Sequence, residues 1–161
     1  MKTTQVNSFS ATKFRAFLIA LFFCLPFVSY ADGKVNVNND GVALSGYDPV
    51  SYFMSAPMPG YPALKYNYQG AIYQFENEEN RQLFMLTPTK YTPAYGGWCA
   101  WAMLDGDQVD IDPLKYKIID GKNYVFYNGF WGDTLAKWNK KALSSTDSAL
   151  VQQADQQWQQ Q

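Results

Sequence analysis

Apolar and polar residues alternate with a two-residue period in two stretches of the chain. Residues 65–75 alternate around Gln69-Gly70, and residues 116–127 alternate around Asp120-Gly121. This period favours half-buried strands, and a glycine-containing dipeptide between two such runs favours a hairpin. The sequence therefore predicts two antiparallel hairpins.

Other segments show the spacing and end signals of helices. Asn77 can cap a helix that Pro88 ends, and Thr146 can cap a final helix. Asp48 and Pro49 fit the cap and first position of a shorter helix at residues 47–53. Two apolar stripes support the last two helices: Phe130, Trp131, Leu135, Trp138 and Leu143 in one, and Leu150, Val151, Ala154 and Trp158 in the other.

These elements predict an α+β domain, with a small antiparallel sheet built from hairpins and packed with several short helices. We place this domain at residues 41–161, after a polar, flexible lead-in at residues 32–40. Trp101 and Trp138 are predicted to lie in its core, and no internal repeat is evident in the sequence.

Residues 1–31 have the order of a secretory signal peptide. Lys2, Lys13 and Arg15 precede an apolar stretch at 16–28, and small residues at Ser29 and Ala31 fit cleavage after Ala31. The apolar stretch is too short to span a bilayer as a helix. We therefore expect a periplasmic or secreted protein without a transmembrane segment after cleavage.

The charge and the residue composition reduce the number of functions that this protein could have. Residues 1–31 contain three of the 13 basic residues and none of the 14 acidic ones. The chain after cleavage therefore has 10 basic and 14 acidic residues, a formal net charge of −4. That balance argues against a nucleic-acid partner. The chain has no histidine, so His-dependent catalysis and His-ligated metals are excluded. Only Cys99 remains after cleavage, so no intramolecular disulfide is expected.

Several segments resemble the YHS-domain family: Gly46–Phe53, Tyr73–Phe75, Asn80-Arg81, Phe84, Pro88–Tyr91 and Tyr95–Ala100. Ile118–Tyr124 and Lys137-Trp138 are similar to the exported, single-domain branch of that family. Other branches handle heavy metals and carry cysteines where this chain has Ser51, Glu76 and Asn80. The resemblance therefore implies the family's fold without its thiolate metal site.

Cys99 is the sharpest candidate for chemistry. If residues 94–103 are helical, Cys99 and Met103 lie one turn apart and form a soft donor pair for copper or another transition metal. The alternative is a buried cysteine acting as a small apolar residue, which its neighbours Trp98 and Trp101 favour. Catalysis by the thiol lacks a histidine to activate it.

A ligand site is predicted where two segments meet. We expect Tyr47 and Asp48 to converge with the Tyr95–Cys99 segment as one concave site. The proposed ligand-binding residues are Tyr47, Asp48, Tyr95, Gly96, Gly97, Trp98 and Cys99. The same aromatic residues, with Tyr52 and Trp101, could equally be core. The acidic loop at residues 105–112 does not match a calcium loop.

Three function classes stay open from the sequence. The first is an exported, non-enzymatic binding module for a small molecule or a metal ion near Cys99. The second is an enzyme that uses the thiol or acid–base groups. The third is an aromatic interaction module for a glycan or a protein partner.

Overall fold

The computed structural model describes residues 1–3 and 35–161. The predicted signal peptide therefore lies outside the described residues, apart from its first three. The regular elements are β1 (Tyr61–Tyr68), β2 (Ala71–Phe75), α1 (Glu78–Leu86), α2 (Pro88–Tyr91), β3 (Asp112–Ile119), β4 (Lys122–Phe126), β5 (Asn128–Gly129), β6 (Gly132–Asp133), α3 (Thr134–Ala142) and α4 (Asp147–Trp158).

The fold is α+β, as the sequence predicts. β1 pairs with β2, β3 with β4 and β5 with β6, all antiparallel. Both predicted hairpins turn at the predicted dipeptides, where Gln69 and Asp120 adopt left-handed φ values of 49° each. The glycine that follows each of them tolerates the positive φ that this turn requires.

The predicted helix caps are confirmed by their hydrogen bonds. Asn77 Oδ1 accepts from the Asn80 N–H at 2.8 Å, and Thr146 Oγ1 accepts from the Ala149 N–H at 3.0 Å. α1 ends before Pro88, which becomes the first residue of α2. These side chains satisfy backbone donors that the first helical turn leaves free.

Neither residues 94–103 nor residues 47–53 form a regular α-helix. The first segment contains a 3-10 turn at Ala94–Gly97 and the start of another at Ala102–Asp105, and Tyr95 and Gly96, with φ values of 52° and 60°, interrupt any longer helix. The segment after Asp48 forms only one 3-10 turn, Ser51–Phe53.

The helix predicted from Phe130 onward begins only at Thr134, where Asp133 Oδ1 caps it by accepting from Ala136 N–H at 3.0 Å. Phe130 and Trp131 form the turn between β5 and β6 instead. They are 94% and 68% exposed, so they do not belong to the apolar face of the helix.

The described part of the predicted flexible lead-in is tied to the domain. Asn36 N–H donates to Gly96 O at 2.9 Å, and its side-chain amide donates to Gly97 O at 3.2 Å. Asn38 Oδ1 closes a turn by accepting from the Val42 N–H at 2.9 Å.

The core consists of two apolar clusters. The first cluster contains Met103, Tyr124, Phe126, Trp138 and Leu150, and α3 and α4 pack against it. The second cluster contains Val50, Tyr52, Tyr73, Phe75 and Phe84. Trp138 is fully buried, which confirms it as core, whereas Trp101 is only half-buried at the edge of the first cluster.

The two long hairpins repeat one another. Tyr61 pairs with Phe75 as Asp112 pairs with Phe126, an offset of 51 residues, and both hairpins contain a bulge after that first pair. Three consecutive residues near the start of each hairpin's half of the chain also share a left-handed backbone conformation. Leu44, Ser45 and Gly46 have φ values of 52°, 53° and 84°, and Tyr95, Gly96 and Gly97 have 52°, 60° and 89°.

Hydrogen bonds extend the match. The Asp48 N–H donates to Met58 O at 2.8 Å, and the Cys99 N–H donates to Val109 O at 3.0 Å. Residues 41–91 and 92–142, here called the first and second halves, therefore share one backbone plan. The internal repeat that the sequence does not reveal is present in the structure.

Among the residues that the structure describes, no helix is long and apolar enough to cross a membrane.

Candidate functional site

Asp48 is the hub of a buried hydrogen-bond network. Its side chain is fully buried, and Oδ1 accepts from the Val50 N–H at 2.8 Å. Oδ2 accepts from the Glu76 N–H at 2.9 Å and from the Asn80 side-chain amide at 2.6 Å. The Ser51 hydroxyl donates to the backbone carbonyl of Asp48 at 2.7 Å. Three donors to one carboxylate satisfy a group that would otherwise be costly to bury.

Three of these contacts come from Ser51, Glu76 and Asn80, the positions compared above with cysteines of YHS-domain proteins. Ser51, Glu76 and Asn80 surround Asp48, and Ser51 and Asn80 use their side chains on it. Their hydroxyl and amide groups are poor ligands for a soft metal. The residues present therefore do not fit a thiolate metal site, and the positions are joined by hydrogen bonds instead.

Cys99 occupies the position in the second half that corresponds to Asp48. It is fully buried, and its Sγ accepts from the Tyr127 N–H at 3.3 Å. Glu76, the residue that donates to Asp48, is the counterpart of Tyr127 in the first half. Sγ also lies 3.4 Å from Thr134 Oγ1, whose hydrogen is donated to Tyr127 O at 2.7 Å. The thiol hydrogen therefore points to Thr134, and the sulfur links β4 to the start of α3.

The soft donor pair is present but enclosed. The Met103 N–H donates to Cys99 O at 3.0 Å, so the two residues do lie one turn apart. Both side chains have no exposed surface. Within the described part of the chain, no group of three or more histidine, cysteine or acidic residues is arranged to hold a metal ion.

The single concave site predicted from Tyr47, Asp48 and the 95–99 segment is not formed. Tyr47 packs against the second core cluster, whereas Tyr95 belongs to the first. Asp48 and Cys99 are fully buried and cannot line an open surface. Gly97 is buried as well, and Trp98 is half-buried against the first cluster. The two segments hold equivalent places in the two halves, 51 residues apart.

Tyr95 and Gly96 do line an open groove, together with residues that the sequence does not single out. This groove has a volume of about 390 Å³. We call it the Lys122 cleft, and its principal walls are Tyr73, Tyr95, Lys122, Tyr124, Asp155 and Trp158. It lies where the loop at 92–96, the second hairpin and α4 meet.

The walls of the Lys122 cleft are aromatic and fixed. The Tyr95 ring lies 5.7 Å from the Tyr124 ring and 6.1 Å from the Trp158 ring, measured between centroids. The Tyr95 hydroxyl donates to Asp155 Oδ1 at 3.0 Å. This contact joins the loop to α4, so the cleft does not depend on a mobile side chain for its shape.

The side chain of Lys122 supplies a positive charge at the edge of the cleft. The Lys122 ammonium donates to Thr89 O at 3.1 Å, and burial lowers the pKa of Lys122 below its ordinary value. Burial also raises the pKa of Tyr124 to about 12. Burial and the nearby Asp155 carboxylate raise the pKa of Tyr95 further. Both tyrosines are therefore neutral hydrogen-bond donors at physiological pH.

Sequence reasoning does not identify Lys122, Tyr124, Asp155 and Trp158 as site residues because the sequence already gives each of them a role in its own strand or helix. Lys122 begins a strand, and Asp155 and Trp158 belong to a helix with an apolar stripe. Only the packing of α4 against the loop at 92–96 brings them together.

Comparison with protein-family models, curated proteins and solved structures finds no match to this chain.

Proposed function

We propose that the chain is an exported, non-enzymatic binding module whose ligand is a small organic molecule held in the Lys122 cleft. The observation that carries this proposal is the cleft itself, an open groove bordered by three largely buried tyrosines, a tryptophan and a partly desolvated lysine. Its volume of about 390 Å³ lies within the range of small-molecule sites, roughly 300–1,000 Å³.

The chemistry of the walls suggests the class of ligand. Aromatic rings favour a flat apolar body, and the Lys122 ammonium favours an anionic group such as a carboxylate. Because burial has removed part of the water around that ammonium, an ion pair here is stronger than one on the open surface. We therefore propose an aromatic or otherwise planar carboxylate.

Titration with indole-3-carboxylate, followed by chemical shifts of the protein amides, tests the proposal. Lys122→Met is expected to weaken binding at least tenfold, because the charge-assisted contact is lost while the side-chain length is kept. Lys90→Met is the matched control, since Lys90 is exposed and does not line the cleft. Shifts that do not map to the cleft, or equal affinity in both variants, would refute the site.

The raised pKa values of the cleft tyrosines argue against acid–base catalysis by these residues. A general base must accept a proton near the working pH, whereas Tyr95 and Tyr124 have raised pKa values and stay protonated. Cys99 is enclosed and hydrogen-bonded, which is unlike a reactive thiol.

Binding of copper or another transition metal by Cys99 and Met103 would first require both side chains to be exposed. Copper(I) titration of the protein and of Cys99→Ser tests that alternative directly.

We also propose that the domain is related to YHS-domain proteins. The support is that Ser51, from beside Asp48, and Glu76 and Asn80, from a segment distant in sequence, converge on Asp48 as the ligands of one site would. Replacing all three by cysteine should create tight zinc binding, measured by competition with a chromogenic chelator. A folded triple variant with no gain in zinc affinity would contradict the relationship.

Export is proposed from residues 1–31, and we place the protein in the periplasm or outside the cell. Intact mass of the protein recovered from an export-competent host should correspond to a chain that begins at Asp32. A mass that retains residues 1–31 would overturn both the cleavage site and the localisation.

A further inference from the structure

The hairpin of β5 and β6 presents two large aromatic side chains to solvent. Phe130 and Trp131, here called the aromatic tip, are 94% and 68% exposed. Contiguous exposed apolar surface, unlike single exposed apolar residues, often marks a site of interaction with a protein or a membrane. The tip therefore calls for an explanation beyond folding.

Comparison of the two halves indicates that the fold does not require the tip. In the first half, Asn77 follows the β1–β2 hairpin and immediately caps α1. In the second half, its counterpart Asn128 is followed by a five-residue extension, Gly129–Asp133, before α3 begins. Because the first half makes the same strand-to-helix connection without it, the extension is an addition to the shared plan.

The tip is held in place rather than collapsed onto the domain. The Lys137 ammonium donates to Trp131 O at 2.8 Å, and the Tyr127 and Trp131 rings lie 5.6 Å apart between centroids. The rings of Phe130 and Trp131 meet edge to face at 6.3 Å. Both side chains are thus displayed from a braced two-residue turn.

A basic surface adjoins the tip. Lys137, Lys140 and Lys141 are exposed on α3, and residues 134–146 contain no acidic side chain. The three ion pairs found among the described residues involve none of these lysines. Asp133, the nearest carboxylate in sequence, is paired with Lys115 at 2.7 Å. This face is cationic although the chain as a whole has a formal net charge of −1.

We propose that the aromatic tip and the three lysines of α3 dock the protein onto an anionic phospholipid surface. Tryptophan and phenylalanine enter the boundary between head groups and acyl chains, and lysines beside them pair with anionic head groups. A protein partner fits less well, because a stable interface buries roughly 800 Å² on each side and a two-residue tip offers only a fraction of that. A bilayer accepts each inserted side chain independently, so a narrow tip is sufficient.

Vesicle sedimentation tests the proposal with the full chain. The probes are vesicles of phosphatidylcholine alone and vesicles that also contain phosphatidylglycerol. Binding is expected only to the anionic vesicles, and it should weaken as salt is raised. Phe130→Ser combined with Trp131→Ser, and separately Lys140→Glu combined with Lys141→Glu, should each weaken it at least tenfold. Leu86→Ser and Lys90→Glu are controls, because both residues are exposed elsewhere.

A local readout separates the tip from any contribution of the apolar N-terminal residues. Phospholipids with brominated acyl chains should quench part of the tryptophan fluorescence of the wild type, and that part should disappear in Trp131→Phe. Equal quenching in the two proteins would overturn the proposal. A wild type that stays in the supernatant with anionic vesicles would also overturn it.

Discussion

Replacing the fully buried Asp48 by asparagine removes one acceptor from its hydrogen-bond network without changing the shape of the side chain. Three N–H groups point at the carboxylate, from Val50, Glu76 and the Asn80 side chain. An asparagine can place its single oxygen where either carboxylate oxygen stood. Its amide group then faces at least one of these donors, so a buried donor loses its partner in either orientation.

The size of the effect follows from that count. Leaving a buried donor without its partner costs about 1–3 kcal/mol, and more where the lost acceptor is charged. We therefore expect Asp48→Asn to lower the free energy of unfolding by about 2–4 kcal/mol. Small domains have only about 5–15 kcal/mol in total, so the variant should lose a large part of its stability.

Urea denaturation followed by tryptophan fluorescence measures the change, with the slope m compared between proteins to check two-state behaviour. Asp40→Asn is the matched control, because Asp40 is exposed. A loss below about 1 kcal/mol in Asp48→Asn, with m unchanged, would refute the reasoning. It would mean that the donors around Asp48 find other partners at little cost.

Three further predictions rest on other buried groups. Cys99 should react with a thiol reagent only after unfolding, since its side chain is fully enclosed, and rapid reaction of the native protein would contradict this. Trp138→Ala should lower the free energy of unfolding by about 3–5 kcal/mol because the ring is fully buried, and Trp101→Ala should lower it by less than half as much because its ring is only partly buried. Equal losses of the two variants in urea denaturation would contradict this difference in burial. Folding raises the pKa of Tyr124 from 10.0 to about 12, so its stabilising effect is full below about pH 10 and lost as pH rises toward 12. Near-UV circular dichroism and tyrosine absorbance should therefore change together in that range.

Local signals account for most of the elements that the sequence predicts correctly. The hairpins turn at Gln69-Gly70 and Asp120-Gly121 because the strand period and the turn residues agree. Asn77 and Thr146 begin helices because their side chains cap free backbone donors. In each of these cases the determinant lies within a few residues.

The wrong predictions have a different physical origin. Tyr95 is a non-glycine residue with φ of 52°, a conformation that propensity disfavours and that only surrounding contacts can impose. Phe130 and Trp131 fit a helical stripe by spacing, but Gly129 and Gly132 flank them and permit a tight turn instead. The Lys122 cleft depends on segments that are far apart in sequence, so no local pattern could reveal it.

The repeat escapes detection because the halves conserve backbone roles and not side chains. Asp48 and Cys99 both accept a hydrogen bond from the residue that follows a hairpin, Glu76 in the first half and Tyr127 in the second, although one acceptor is a carboxylate and the other a thiol. A position under such a structural constraint is expected to carry an acceptor of some kind in each half. This role explains Cys99 without a metal or a reaction.

The differences between the halves then indicate where to look for function. Features that both halves share are explained by the common fold, whereas features of one half alone need another cause. α4 follows only the second half and supplies Asp155 and Trp158 to the Lys122 cleft. The position of Lys122 is held in the first half by Ala71, which is buried and cannot offer a charge. The extension that carries Phe130 and Trp131 is likewise confined to the second half. Variants at Lys122, Phe130 and Trp131 should therefore alter binding while leaving the unfolding free energy close to that of the wild type, the opposite of what Asp48→Asn is expected to do.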